Sequence, residues 1–466
     1  MARAGCPLSS SAPPALGLFC LYSVAALARE PSPPSTGAPE PDRFTLVAQS
    51  ETYLQLYRRA LLPGQNGASV PTETAVPIHE YLSANARDVD APWQKDAISI
   101  EFAAWARLWP TRSSLERPFD GDVQTANVRL QAGPVWAAVG RQQVAGGAAR
   151  YVRFDGVRLG TQQLGFFAEG YGGFTVLPGW NEQPGYDALG DAADELLVYQ
   201  PPRPRRGEQW LVGARAGYAS LPASASLSFH EQRRDAELDR RSLGLDVATR
   251  LLGLASLGGS ALLELDSQRF ADTRLWADAA PHPLIDVGIE AVHTEPALLL
   301  SRQSVLSVFS TNGYEELGGT FRLRASSWLR FDANGYLDLY GQDGPGARAQ
   351  VAARANLGVL NPTIVRVAYA RVVAPENGYH SLRTSFSRQL SQSLGSTLEA
   401  YGYVYDSPIA KSSTSLLCAG TLAYRWAEPF ELLWSGSLAH SPYATLDAQT
   451  MLRANYRFDT PSRARQ

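Results

Sequence analysis

The sequence predicts an all-β fold, a single transmembrane antiparallel β-barrel of about 20 strands, with 16–22 the span that boundary error allows. Three observations carry that expectation. Apolar and polar residues alternate with period two in run after run of about ten residues, the length of a tilted membrane strand. Links between runs are tight on one side and longer and polar on the other. Beyond the N-terminal segment no stretch has the roughly 18 consecutive apolar residues that a spanning helix requires, so any span is made of strands.

Residues 1–28 have the parts of a secretory signal: Arg3 in a short n-region, an apolar run from Ala15 to Ala28, and small residues at Ala26 and Ala28 that set cleavage before Arg29. Lipid attachment at Cys20 is disfavoured, because Phe19 stands where that processing wants a small side chain. Removing the signal removes Cys6 and Cys20 and leaves Cys418 alone, so the exported chain forms no internal disulfide. Residues 29–43 hold Pro31, Pro33, Pro34, Pro39 and Pro41, which cannot join a sheet interior and read as a periplasmic lead-in. Residues 44–92 form an N-terminal hairpin, Phe44–Tyr57 and Val76–Arg87, that either joins the wall or sits inside it as a plug.

Residues 93–458 make the barrel. In the first run Ile98, Ile100, Phe102, Ala104, Ala106 and Leu108 suit lipid, while Ser99, Glu101, Ala103, Trp105 and Arg107 between them suit water. The same sorting recurs at Leu243, Leu245 and Val247 against Ser242, Gly244 and Asp246, and at Leu398, Ala400 and Val404 against Glu399, Tyr401 and Tyr403. It continues to the last run, where Leu452, Ala454, Tyr456 and Phe458 alternate with Arg453, Asn455 and Arg457. Tight turns are expected at Ala132–Pro134, Gly160–Gln163, Ala325–Trp328 and Ala427–Pro429. Longer links are expected at Pro110–Asp122, Glu231–Arg241, Gly341–Gly346, Ala374–Gly378 and Ser407–Ser412, with two exceptional ones at Gly172–Gln209 and His293–Glu316. A soluble sandwich would alternate as well, but this asymmetry of connections favours the membrane barrel. Trp109, Trp210, Trp328 and Trp426 fall at ends of runs, where an interface girdle belongs. An even strand number returns both chain ends to the periplasm, with residues 459–466 as a C-terminal tail.

A net charge of -3 argues against a nucleic-acid binder, which needs a basic face to displace counterions from phosphates. Catalysis lacks its parts. His380 and Ser381 are adjacent, as are His440 and Ser441, but neighbours on a strand point to opposite faces. No closely spaced His and Cys ligands form a metal site, and no motif implies a cofactor, so no catalytic, metal or cofactor residue is expected. The lipid of the outer membrane is the one partner that the apolar face requires.

The opposite face of each run lines a lumen and carries both signs of charge, among them Arg107, Arg129, Glu264, Asp266, Arg322 and Arg324. Such rings of charge set ion preference and orient solutes. Arg141, Arg150, Arg153 and Asp155 are the candidates for a constriction, because basic side chains beside an incoming loop both narrow and charge a pore.

Tyr456, Arg457 and Phe458 resemble the closing strand of bacterial outer-membrane β-barrels, whose final aromatic is read by the barrel-insertion machinery. The chain departs from that pattern in the residues Asp459 to Gln466 that follow, and in Arg453, where glycine is common. Gly140, Arg141 and Gln142, followed by Arg150, Tyr151, Arg153, Phe154, Asp155 and Gly156, are similar to a stretch of porin-like barrels of the alginate-export type. That resemblance covers residues 140–156 and implies a passive channel lined by arginines and carboxylates. Read from the residues alone, Asp155 and Gly156 mark a β-bulge, because the alternation of Val152 and Phe154 resumes out of phase at Val157 and Leu159.

The expected function is a porin-like outer-membrane channel for passive diffusion or export of small or polymeric polar solutes. The rival is a structural barrel that sheathes or anchors a partner protein or surface polymer, for which the apolar Leu298–Leu300 and Val305–Phe309 offer a packing surface. Homo-oligomer formation and a lumenal partner are both open at this point.

Overall fold

A computed structural model describes residues 45–60, 72–110, 119–176, 209–234, 236–251, 253–299, 313–341, 344–358, 362–409, 412–442 and 444–459. The segments expected as a secretory signal and a lead-in, the tail after Asp459 and the middles of the two exceptional links lie outside the described residues. The first strands are β1 (Thr45–Ala60), β2 (Thr72–Ala75), β3 (Ile78–Ala91), β4 (Gln94–Leu108), β5 (Phe119–Ala132), β6 (Val135–Gly146), β7 (Arg150–Gln163) and β8 (Phe166–Thr175). There follow β9 (Gln209–Ala219), β10 (Ala223–Arg234), β11 (Glu237–Leu251), β12 (Ala255–Glu264), β13 (Arg269–His282), β14 (Ile285–Thr294), β15 (Tyr314–Arg324) and β16 (Leu329–Leu339). The last are β17 (Pro345–Leu357), β18 (Thr363–Val373), β19 (Tyr379–Gln389), β20 (Leu394–Ile409), β21 (Ser412–Ala427), β22 (Phe430–Ser441) and β23 (Ala444–Asp459).

Each wall strand pairs antiparallel with the next, and β1 closes the ring against β23 from Val47↔Asp459 to Leu56↔Thr450. The short β2 pairs only with the far end of β1, from Tyr57↔Ala75 to Ala60↔Thr72. Pro77, which has no N–H to give to a ladder, lies between it and β3. The wall is therefore a closed antiparallel ring of 22 strands. Strands β4 to β23 account for the runs read between Trp93 and Phe458, and the N-terminal hairpin supplies β1 and β3 of the wall. Closure matters physically because a sheet edge in hydrocarbon would leave its N–H and C=O groups without partners.

The outer face is apolar and open around the whole ring, with Leu227 54 %, Ile289 66 %, Val351 55 % and Leu398 59 % exposed. A belt of that extent is far larger than the apolar patches a soluble monomer leaves in water, and it is covered by lipid. The inner face of the same strands carries the ion pairs Arg158–Glu169, Arg322–Asp332, Arg383–Glu399 and Arg453–Glu431. The molecule is thus inside out relative to a soluble barrel.

The turns expected at Ala132–Pro134, Ala325–Trp328 and Ala427–Pro429 lie at the end where β1 begins and β23 finishes. Two-residue links also join β10 to β11, β20 to β21 and β22 to β23 at the opposite end, so the expected asymmetry of short and long connections is only partial. Gly160–Gln163, expected as a turn, lies within β7 instead. The turn falls at Leu164 and Gly165, whose φ angles of 51° and 84° give the twist that joins two right-handed strands. Glu231–Arg241, expected as a long link, is mostly strand, because β10 and β11 run out to Arg234 and Glu237 with solvated polar side chains. Trp210, Trp328 and Trp426 are exposed near strand ends, but Trp109 is buried, under the guanidinium of Arg107. It belongs to the interior and not to a girdle.

Candidate pore constriction

The hairpin of β6 and β7 leaves the wall. Its own ladder runs unbroken from Val135↔Thr161 to Gly146↔Arg150. Pairing with β5 stops at Ala126↔Arg141, and pairing with β8 stops at Phe154↔Thr175. Beyond those points, apart from the Val176 N–H that donates to the Arg153 carbonyl at 2.8 Å, the hairpin pairs with no further strand among the described residues and bends into the lumen. Gly140 marks the departure: its φ is 119°, and a Cβ there would collide with the carbonyl oxygen of Ala126.

The hairpin tip, a single 3-10 turn Gly147–Ala149, rests on the inner faces of β10, β11 and β12. Ala148 N–H donates to Ser228 Oγ at 2.7 Å, and Ser242 Oγ donates to the Ala148 carbonyl at 3.0 Å. Approach this close needs glycine on both sides. Gly147 has φ 57° and a side chain there would overlap the Ser228 hydroxyl, while a Cβ on Gly244 would stand 2.5 Å from Ala148 N. Arg150 ends the turn at φ 54° and pairs with Asp272 on β13 at 3.1 Å.

One face of the hairpin is dry. Val144, Ala149, Val152 and Phe154 pack on Tyr171 and Leu211 of the wall. Ala148 packs on Leu262 and Ala271, with Leu298 and Leu299 of the helical turn Pro296–Leu299 against them. The Tyr171 hydroxyl lies 3.2 Å from His230 Nδ1, and both residues are buried. Full burial of a large apolar side chain such as Phe154 contributes about 1.5–3 kcal/mol. Left-handed backbone at a non-glycine residue such as Arg150 costs about 1–2 kcal/mol. Several buried side chains outweigh one strained residue, so the docked position wins.

The other face is charged. Arg141 donates from Nε and Nη2 to the two carboxylate oxygens of Asp155 at 2.8 and 2.9 Å, and from Nη1 to Asp122 at 3.2 Å and the Val123 carbonyl at 2.9 Å. Arg153 Nη2 reaches the second oxygen of Asp122 at 2.6 Å. Asp122 sits opposite Trp105 on the inner side of β5. These pairs fill the gap that opens where the hairpin departs from β5.

The expected β-bulge at Asp155 and Gly156 is not found in either ladder of β7. The phase of the alternation changes there because the surroundings change. Val157 and Leu159 point out to lipid, whereas Val152 and Phe154 point inward onto a dry wall.

Of the other predicted lining residues, Arg107 pairs with Asp120 at 3.3 Å and Arg129 lies 4.2 Å from the Trp136 ring centroid. Arg322 and Arg324 share Asp286, at 3.5 and 2.7 Å. Glu264 is buried and accepts from Ser267 N–H at 2.6 Å. Asp266 lies in the turn between β12 and β13 and not on the lumenal wall, because β12 ends at Glu264. Asp122, Gly147, Ser228, Ser242 and Gly244 hold the docked hairpin; the alternation places Ser242 and Gly244 on the inner face but gives none of the five a role. The Gly146–Gly147 pair was the one local signal of an unusual turn.

A closed ring with an apolar outer belt and a wet, charged interior defines a porin-like outer-membrane barrel. No family model matches the chain, and no curated protein matches it. Among solved structures it is similar to Pseudomonas aeruginosa OccK9 (OpdG), at TM-score 0.39 and 12% identity over 89% of this chain and 98% of that one. It is also similar to the P pilus usher (PapC) translocation pore, at TM-score 0.42 and 10% identity over 88% and 99%. A BenF-like porin from Pseudomonas fluorescens Pf-5 gives TM-score 0.38 and 10% identity over 89% and 99%.

Proposed function

We propose that the protein is an outer-membrane channel for passive passage of polar solutes, with a bore set by the inward hairpin of β6 and β7. The observation that carries this reading is the docking of that hairpin on the inner faces of β10–β12. A circular ring of 22 strands, spaced about 4.8 Å and tilted about 40°, would be roughly 40 Å across. A second layer of sheet stacked on the wall occupies about 10 Å of that, so the hairpin reduces the bore without sealing it. Arg141, Arg150, Arg153 and Asp155 then charge the constriction.

The same reading includes export through the signal in residues 1–28 and both chain ends in the periplasm. Tyr456 and Phe458, on the outer face of β23, are the residues offered to the insertion machinery. The test is a planar bilayer. Purified, folded protein should conduct in steady single-channel steps. Electrical silence from correctly folded protein would contradict the reading and point to a barrel that sheathes or anchors a partner.

A further inference from the structure

The ladders of β15–β18 place Arg324↔Arg330, Arg330↔Arg354 and Arg354↔Arg366 directly opposite one another, so that these arginines form one unbroken row across adjacent strands. All point inward, since Phe331, Val351 and Val367 between them form the exposed outer face. Neighbours in such a row are about 5 Å apart, and like charges directly opposite each other destabilise a sheet. At other places on the inner wall an arginine faces a carboxylate, as in Arg158–Glu169 and Arg383–Glu399, or covers an aromatic ring, as Arg129 does Trp136. Here the carboxylates run short. Asp286 serves both Arg322 and Arg324, and Asp332 serves both Arg322 and Arg330. Arg354 is bonded to the Asn356 amide oxygen at 3.3 Å, and Arg366 has no hydrogen-bond or ion-pair partner among the described residues.

Burial does not explain the row, because Arg324 and Arg330 are 49% and 39% exposed toward the lumen. Guanidinium forks at this spacing are instead suited to bidentate recognition of planar or tetrahedral oxyanions. We infer that Arg330, Arg354 and Arg366, with Arg324 at the edge, form a binding site for an anion bearing two or more carboxylate or phosphate groups. The row sits beside the tight turns, at the end of the barrel where β1 begins and β23 finishes, and so at the opposite mouth from the hairpin constriction. A multivalent anion is selected over chloride because it spans several forks at once.

This inference rests on the channel reading, and its test separates the two. The full-length protein in a planar bilayer should show a reversal potential on the anion-selective side in a KCl gradient, and added citrate or inorganic tripolyphosphate should block the current. The more potent blocker identifies which oxyanion the row prefers. In R354Q/R366Q the block should weaken by about tenfold or more, the scale of one or two lost charge-assisted bonds, and selectivity should move toward cations. R354K/R366K keeps the charge without the fork; it should keep the selectivity and lose part of the block. Unchanged block and reversal potential in folded R354Q/R366Q would overturn the inference while leaving the channel intact. If the barrel is silent, calorimetric titration of citrate and tripolyphosphate into detergent-solubilised protein decides: binding by the natural chain and not by R354Q/R366Q supports the site, and no binding to either overturns it.

Discussion

Gly147 is the residue on which the docked hairpin depends most closely. Its left-handed φ of 57° suits glycine, and its Cα faces the Ser228 hydroxyl with no room for a methyl group between them. In Gly147→Val the backbone penalty alone is about 1–2 kcal/mol, and the clash with Ser228 adds to it. Since each 1.4 kcal/mol is about a tenfold change in population, the tip should leave the wall for a substantial fraction of the time. The ring does not use this contact, so the barrel should still fold and resist denaturation by detergent. Single-channel recordings of Gly147→Val should show larger or flickering conductance. Conductance identical to that of the natural chain would mean that the hairpin does not limit the bore.

At the scale of the strand, period-two alternation tells the two faces apart, and β17 offers a clean comparison. Val351 stands on the outer face near the middle of that strand, and its neighbour Gln350 stands on the inner face opposite Asn334. Val351→Arg places a charge in hydrocarbon and should lower the unfolding free energy in lipid vesicles by about 2–4 kcal/mol. Gln350→Arg should change it little, because its side chain stays in the wet interior. Equal costs at the two positions would remove the distinction between faces. Alternation of this kind made the strands and their approximate number legible in the sequence. The lengths of the links were read less well: Ser407–Ser412, expected as a longer link, is strand up to Ile409 and again from Ser412. Alternation could not reveal the inward hairpin. Val152 and Phe154 are apolar for a dry wall and Val157 and Leu159 for lipid, and a sequence pattern records only that each avoids water. Trp109 was misplaced for the same reason. The arginine row was hidden differently, since Arg330, Arg354 and Arg366 come together only through the register of three ladders.

For the whole molecule, the decisive fact is that the sheet closes on itself through β1 and β23, which leaves no edge and gives the wall one face toward lipid and one toward an interior that is wet except where the hairpin docks. The N-terminal hairpin, whose place in wall or lumen the sequence left open, is what completes the circuit. Both faces can be read directly by placing single cysteines along β17 in a Cys418→Ser background, reconstituting each protein in vesicles, and labelling with a charged, water-soluble thiol reagent. Cysteines at Gln350 and Arg354 should react quickly, one at Ala352 should be slow because that inner position is buried, and those at Ala349, Val351 and Ala353 should stay protected by lipid until the protein is unfolded. Uniform labelling, or protection without a two-residue period, would contradict the barrel and the channel built on it.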